Sequence, residues 1–285
     1  MKKVNNRIIK GVLCLVTLST MLIGQNNILT KGYAQDTYSE VAGESHTGSF
    51  SVDSLTLQPG ATTTSINLNW YAPAGTTVAK IQFGDQTYDV TAKPLTSPTE
   101  IKSDKYTDTG KLVCKTTISN LKPDTKYTYY ISNDGGTTWS KEYNYTTPSS
   151  NEFTFGFTSD PQIKENKEIN SEGWNPSDET NQTGWATMME TLEKQGVDLV
   201  VSAGDQVEDQ NWGKSSEYEA FFAPEEMTSI PYAPAVGNHD RHYMFADHFN
   251  LPNQMESLTE VKTTFRGQNS GTSQSHGNYI QATEN

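Results

Sequence analysis

The 285-residue sequence predicts an all-β sandwich followed by an α/β domain. Three observations carry that expectation. Short segments of alternating apolar and polar residues crowd the first half, the pattern changes near residue 150, and apolar strands then alternate with helical periodicity. Composition agrees, because 33% apolar and 19% charged residues with 10 Phe, 5 Trp and 14 Tyr suit β-rich globular domains better than disorder or a helical bundle. A formal net charge of −13 excludes a basic nucleic-acid binder and argues against an anionic lipid partner.

The first element is not part of either domain. Lys2, Lys3, Arg7 and Lys10 precede the largely apolar run Gly11–Gly24, and the small residues Gly32 and Ala34 follow. That is the order of a secretory signal peptide, and the run is shorter than the ~18 residues of a membrane span, an uncleaved anchor helix being the alternative. The expectation is a signal peptide over 1–34 cleaved near Ala34, a polar linker over 35–48, and a secreted or extracytoplasmic chain with no stable membrane span after cleavage. Loss of 1–34 removes five basic residues and no acidic one, which takes the net charge from −13 to −18. Cys14 lies in the apolar run, so the mature chain keeps Cys114 alone and forms no internal disulfide. Within Leu112-Val113-Cys114-Lys115, Cys114 reads as a buried strand residue.

Residues 49–147 form the sandwich. Ile66, Leu68 and Trp70 alternate with Ser65, Asn67 and Asn69, and Ala79, Ile81 and Phe83, then Tyr127, Tyr129 and Ile131, repeat the pattern. Turn clusters such as Gln58-Pro59-Gly60 and Asn133-Asp134-Gly135-Gly136 separate them, so about seven antiparallel strands face one core. The segment Leu121-Lys122-Pro123-Asp124-Thr125-Lys126-Tyr127, with Trp70 on an early strand, resembles fibronectin type III domains. There Leu packs in the core, Pro shapes a turn and Tyr anchors the corner, and the likeness implies a domain that positions or binds rather than catalyses.

Thr147-Pro148-Ser149-Ser150-Asn151 is a turn-rich boundary, and the second domain runs over 152–285. Phe153–Thr158 reads as a strand and Lys164–Gln182 as a loop over the strand ends. Thr183–Gln195 reads as a helix with Trp185, Met188, Met189 and Leu192 on one face, stopped by Gly196. Val197–Ala203 and Tyr232–Val236 read as further strands, with Ser216–Ala223 helical between them.

Each strand ends in polar residues: Asp160 and Gln162, then Asp205, then Asn238, His239 and Asp240. A lone Asp after a strand is ordinarily a turn or capping residue. Three such clusters in order are different, because ligands of open α/β sheets gather outside the carboxyl ends of the strands. Carboxylate, amide and imidazole together suit hard or borderline divalent metals, and two such metals can clamp an in-line phosphoryl displacement.

The ordered pattern Asp-x-Gln, Gly-Asp and Gly-Asn-His-Asp is similar to that of the calcineurin-like metallophosphoesterase superfamily. With the upstream sandwich it resembles the purple acid phosphatase branch. The resemblance implies two divalent metal ions (Mn, Zn, Fe or Mg), with Asp160 on the first, Asp205 bridging both and Asn238 on the second. Gln162 is either a metal ligand or a support for one. The resemblance makes His239 the group that protonates the leaving oxygen or steadies the transition state, with Asp240 orienting or supporting it. It further implies an exported, acid phosphatase-like phosphoesterase acting on phosphate esters; an exported binding or adhesion protein with a non-catalytic phosphoesterase-like domain is the alternative.

Three departures stand out. Gln162 occupies a place where the superfamily commonly has His, Glu208 stands where purple acid phosphatases often have Tyr, and no Gly-His-x-His follows Asp240. His242, His248 and His276 lie in no such context and read as solvated surface residues, with pocket lining the alternative for the first two. The tail Pro252–Asn285 is polar and lacks a convincing strand, so the domain is expected to be incomplete at its C-terminus. The chain is then expected to bind at most one metal weakly, and its sheet to lack part of its cover.

Overall fold

The structure, a computed structural model, describes residues 8–13, 38–98, 106–149, 152–164, 177–208, 215–240 and 242–252. Cys14, the cleavage region at Ala34, His276 and the tail from 253 onward lie outside the described residues.

Among the described residues ten strands precede residue 150: β1 (Ile8–Leu13), β2 (Ser39–Val41), β3 (Asp53–Pro59), β4 (Ile66–Pro73), β5 (Ala79–Phe83), β6 (Gln86–Val90), β7 (Ala92–Pro98), β8 (Tyr106–Ile118), β9 (Thr125–Ser132) and β10 (Tyr143–Thr146). One sheet has the order β3-β4-β8-β7 and the other β10-β9-β5-β6, with β2 also paired to β9. Period-2 alternation turns Ile66, Leu68 and Trp70 inward against Ile81, Phe83, Tyr129 and Ile131, all of them buried. Cys114 sits beside Trp70 in the β4–β8 register, and burial pushes its thiol up to about 12, which makes it inert at neutral pH. The corner before β9 places Asp124 at φ 54 and lets the Lys122 N–H donate to the Tyr127 hydroxyl at 2.8 Å.

The other face of the β3-β4-β8-β7 sheet departs from the one-core expectation. Thr56, Gln58, Asn67 and Asn69 are buried as well, because this face docks on the second domain. Burial of a polar side chain is costly unless it finds partners, and Thr56, Gln58 and Asn67 find them, whereas neither amide atom of Asn69 is hydrogen-bonded. Asn67 Nδ2 donates to the Asn250 carbonyl at 2.8 Å, and Asn250 Nδ2 donates to the Thr116 and Leu68 carbonyls at 2.7 and 3.2 Å. Asn250 N donates to Gln58 Oε1 at 3.1 Å, and Lys115 Nζ donates to the Phe249 carbonyl at 2.8 Å.

The second domain contains β11 (Glu152–Thr158), α1 (Ser177–Lys194), β12 (Leu199–Ser202), α2 (Ser215–Phe221), β13 (Tyr232–Ala233) and α3 (His242–His248). Its sheet has the order β1-β11-β12-β13 with every pairing parallel. Parallel neighbours need crossovers, which α1 and α2 supply. Helix α1 begins within the stretch expected to be a loop. Its Ser-Asp-Glu-Thr start is a normal helix N-terminal composition that a search for apolar periodicity passes over. Trp185, Met189 and Leu192 are buried, and Gly196 at φ +64 closes the helix by donating to the Glu193 carbonyl at 2.8 Å.

Strand β1 comes from the segment read as a signal peptide. It extends the sheet beside β11, from Ile8 opposite Glu152 to Leu13 opposite Phe157, along an edge that presents unpaired backbone groups. No helix among the described residues is long and apolar enough to cross a membrane.

Candidate functional site

Parallel pairing brings the carboxyl ends of β11, β12 and β13 to one edge of the sheet, where three loops meet. The first two are knitted together by backbone. Asp160 N donates to the Gly204 carbonyl at 3.1 Å, Gln162 N to Asp205 at 3.0 Å, Ile163 N to Gln206 at 3.1 Å, and Glu208 N back to Ile163 at 3.1 Å. The backbone is held in unusual conformations there. Of six non-glycine residues with positive φ among the described residues, Asp160 (54°), Gln162 (45°) and Asp205 (54°) are three. Such conformations cost on the order of 1–3 kcal/mol each and concentrate at functional sites.

The second and third loops touch through glycine. A Cβ on Gly237 would fall 1.9 Å from Asp205 Oδ1, so only hydrogen fits between the loops. Asp205 is buried, and its Oδ1 accepts from the His239 N–H at 2.8 Å. Asp240 is buried as well. Its carboxylate accepts from Asp205 N and Gln206 N, each at 3.0 Å, and from Gly237 N at 2.9 Å. These bonds make Asp240 a buckle between the two loops, a different task from the support of His239 that the resemblance implied. Burial raises its pKa to about 6, the Gly237 N–H opposes the rise, and the Asp205 charge adds to it.

The His239 ring is held elsewhere. Its Nδ1 meets the backbone carbonyl of Glu208, and since a carbonyl only accepts, Nδ1 carries the hydrogen. The Glu208 carboxylate lies 3.9 Å from Nδ1, and its other oxygen lies 3.7 Å from Lys164 Nζ. Glu208 is thus a neighbour of His239 that motif reading noted only as a missing Tyr; the loop knitting that brings it there is invisible in sequence. Asp160 and Asn238 are exposed and Gln162 is half-buried, with Ser159 Oγ donating to the Asp160 carboxylate.

Two carboxylates and two carboxamides suit a divalent cation in kind. Among the described residues no three or more His, Cys, Asp or Glu gather closely enough to hold a metal ion, so any such site would draw on the carboxamides of Asn238 and Gln162 as well. His248 corrects an expectation. It is fully buried rather than solvated, because α3 lies against the sandwich, where Tyr71 hydrogen-bonds to its Nδ1.

Residues 153–279 match the family model of calcineurin-like phosphoesterases. Residues 52–147 match the purple acid phosphatase N-terminal domain, so the sandwich is of that kind and the chain has the architecture of the purple acid phosphatase branch. Among solved structures, a purple acid phosphatase, PPD1 from yellow lupin (Lupinus luteus), aligns with a TM-score of 0.54 at 20% identity over 71% of this chain, a likeness of fold alone. The chain spans 41% of the length of that lupin protein. A maltogenic amylase from S. marinus aligns at a TM-score of 0.20 and 13% identity over 52% of this chain and 24% of its own, too low to imply a shared fold. No curated protein matches the chain in sequence.

Proposed function

We propose that the protein is an exported, metal-dependent phosphoesterase of acid-phosphatase type that hydrolyses phosphate esters. The convergence of Asp160, Asp205, Asn238 and His239 at the carboxyl edge of one parallel sheet carries this reading. Asp160, Asp205, Asn238 and Gln162 are the residues that would hold divalent metal. Bound metal would supply Lewis acidity and the positive charge that an anionic ester needs when loss of five basic residues with 1–34 takes the net charge from −13 to −18. With its ring protonated on both nitrogens, His239 would deliver a proton from Nε2 to the leaving oxygen, while Glu208 fixes the ring from the Nδ1 side. Asp240 keeps the Asp205 and His239 loops at their separation.

Hydrolysis of an aryl phosphate should require manganese(II) or zinc(II), stop with chelator, and fall at least about 100-fold in Asp205→Ala and His239→Ala. Activity indifferent to chelator and to Asp205→Ala overturns the reading. Export rests on the 1–34 pattern, and the N-terminus of protein recovered from culture medium should lie near Gln35. The short ligand set favours a second reading, an exported binding protein with a non-catalytic phosphoesterase domain; it predicts no turnover with any of the four metals.

A further inference from the structure

Helix α3 runs from the candidate site to the sandwich. Only Arg241 separates its first residue, His242, from Asp240, whose carboxylate holds the backbones of Asp205, Gln206 and Gly237. At its other end the sandwich takes hold of it. Lys115 Nζ from β8 donates to the carbonyls of Ala246 and Phe249, the latter at 2.8 Å, and so satisfies backbone acceptors at the negative end of the helix dipole. The Tyr71 hydroxyl from β4 shares a hydrogen bond with His248 Nδ1, and Asn250 is bonded to Gln58, Asn67, Leu68 and Thr116. Within the second domain Phe245 and Phe249 are buried with ring centroids 4.6 Å apart, and Phe249 N donates to the Phe245 carbonyl at 3.2 Å.

The bonds to the sandwich thus gather at the C-terminal end, on Ala246, His248, Phe249 and Asn250, while the N-terminal end continues into the site loop. A seven-residue helix held by its own backbone bonds moves as a unit, so a displacement at Ala246 and Phe249 is carried to Asp240. Lys115 itself is well anchored, because β8 is paired on both sides and sets Lys115 opposite Asn69 of β4. The clamp is also costly. Burial, its largest influence, lowers the Lys115 pKa to about 8, with Asp247 opposing the fall and Lys93 adding to it. An apolar side chain of similar length would avoid that desolvation but leave both helix carbonyls without this donor.

We propose that α3 is a strut by which the sandwich sets the position of the His239–Asp240 loop, with Lys115 the positioning residue that clamps its far end. This rests on the reading that the loop forms part of the site, but its test needs no turnover. The test compares the 285-residue chain with its Lys115→Met, Lys115→Arg and Ile81→Val variants. The first removes the donor at similar length, the second keeps a charged donor, and the third trims the sandwich core, where Ile81 is buried, to measure destabilisation alone. The readouts are the urea midpoint and the His239 ring C–H signals by 1H–13C NMR. Folded Lys115→Met should shift or broaden the His239 signals, Lys115→Arg should keep them near wild type, and Ile81→Val should lower the midpoint without moving them. Lys115→Met with wild-type His239 signals, however far its midpoint falls, makes Lys115 a stabilising cap and overturns the proposal. If Lys115→Met does not fold, hydrogen exchange in the wild-type chain decides. The N–H groups of Gly237 and His239 should then open together with that of Phe249, with the same protection and the same dependence on urea. Loop amides that open independently of Phe249 overturn the strut. A wild-type chain that hydrolyses no aryl phosphate counts against the functional reading instead, and the His239 signals still decide the strut.

Discussion

Gly237 and Gly75 show how differently two glycines can matter. Gly75 has φ +87 with nothing within 4 Å of an added Cβ, so Gly75→Ala should cost only backbone strain, about 1 kcal/mol. Gly237→Ala drives a methyl group into the Asp205 carboxylate and should cost about 3 kcal/mol while breaking the Asp205–His239 bond. Urea midpoints of the two variants, compared side by side, check the difference. His248 offers a second test. Burial, chiefly, and the Lys115 charge hold its pKa well below the ordinary value. The unfolded chain therefore takes up a proton below pH ~6.5 that the folded chain refuses. Its contribution is complete above that pH and shrinks by up to about 1.4 kcal/mol per unit as pH falls. Asp240, raised to about 6, acts in the opposite sense by gaining stability below that pH, so the wild-type slope alone is ambiguous. Urea unfolding at pH 7.5 and 5.5 should show a flatter acid limb in His248→Gln than in the wild type. That Asp160, Asp205, Asn238 and His239 lie in the loops after β11, β12 and β13 was legible from the strand pattern. Glu208, Lys115 and the true bonds of Asp240 were not, because their partners come from other loops and helices.

Strands carried a clear signal in one direction only. The alternation of Ile66, Leu68 and Trp70 identifies β4 and its core face, yet Asn67 and Asn69 on its back look like solvent-facing residues and are buried. Asn67 is satisfied across the domain boundary by Asn250, Asn69 is buried without a hydrogen-bond partner, and no periodicity reveals either. Asn250 is the centre of this seam, with Gln58, Asn67, Leu68 and Thr116 all bonded to it. Asn250→Ala removes its two side-chain bonds and leaves two strand carbonyls without that donor in a buried place. It should cost about 2–4 kcal/mol and loosen α3. Calorimetric unfolding should then change from one transition to two, the sandwich melting apart from the phosphoesterase domain. A single transition at a merely lower temperature would mean that apolar packing, not this polar seam, couples the domains.

At the scale of the whole molecule, element order and the switch from antiparallel to parallel pairing were legible, whereas the docking of one domain on the other was not. Among the described residues the parallel sheet is covered unequally. Gly156, Thr158, Val200 and Ser202 are buried on the helix side, with Leu192 of α1 packed on Gly156. On the opposite side Phe153, Phe155, Phe157, Leu199 and Val201 are only partly buried, and pairing sets Phe155 beside Leu199 and Phe157 beside Val201. Five large apolar side chains on one flat face form a patch of the kind that mediates association. Burying it gains roughly 25 cal/mol per Å² of apolar surface, so even partial cover by a second molecule is favourable. The net charge of −13 opposes that approach at low ionic strength and is screened within about 8 Å at 0.15 M salt. Sedimentation velocity should therefore show mass increasing with both protein and salt concentration. Phe155→Glu, which places a charge at the middle of the patch while leaving β11 paired, should keep the chain monomeric at the same salt. If that variant associates like the wild type, the contact lies elsewhere on the surface.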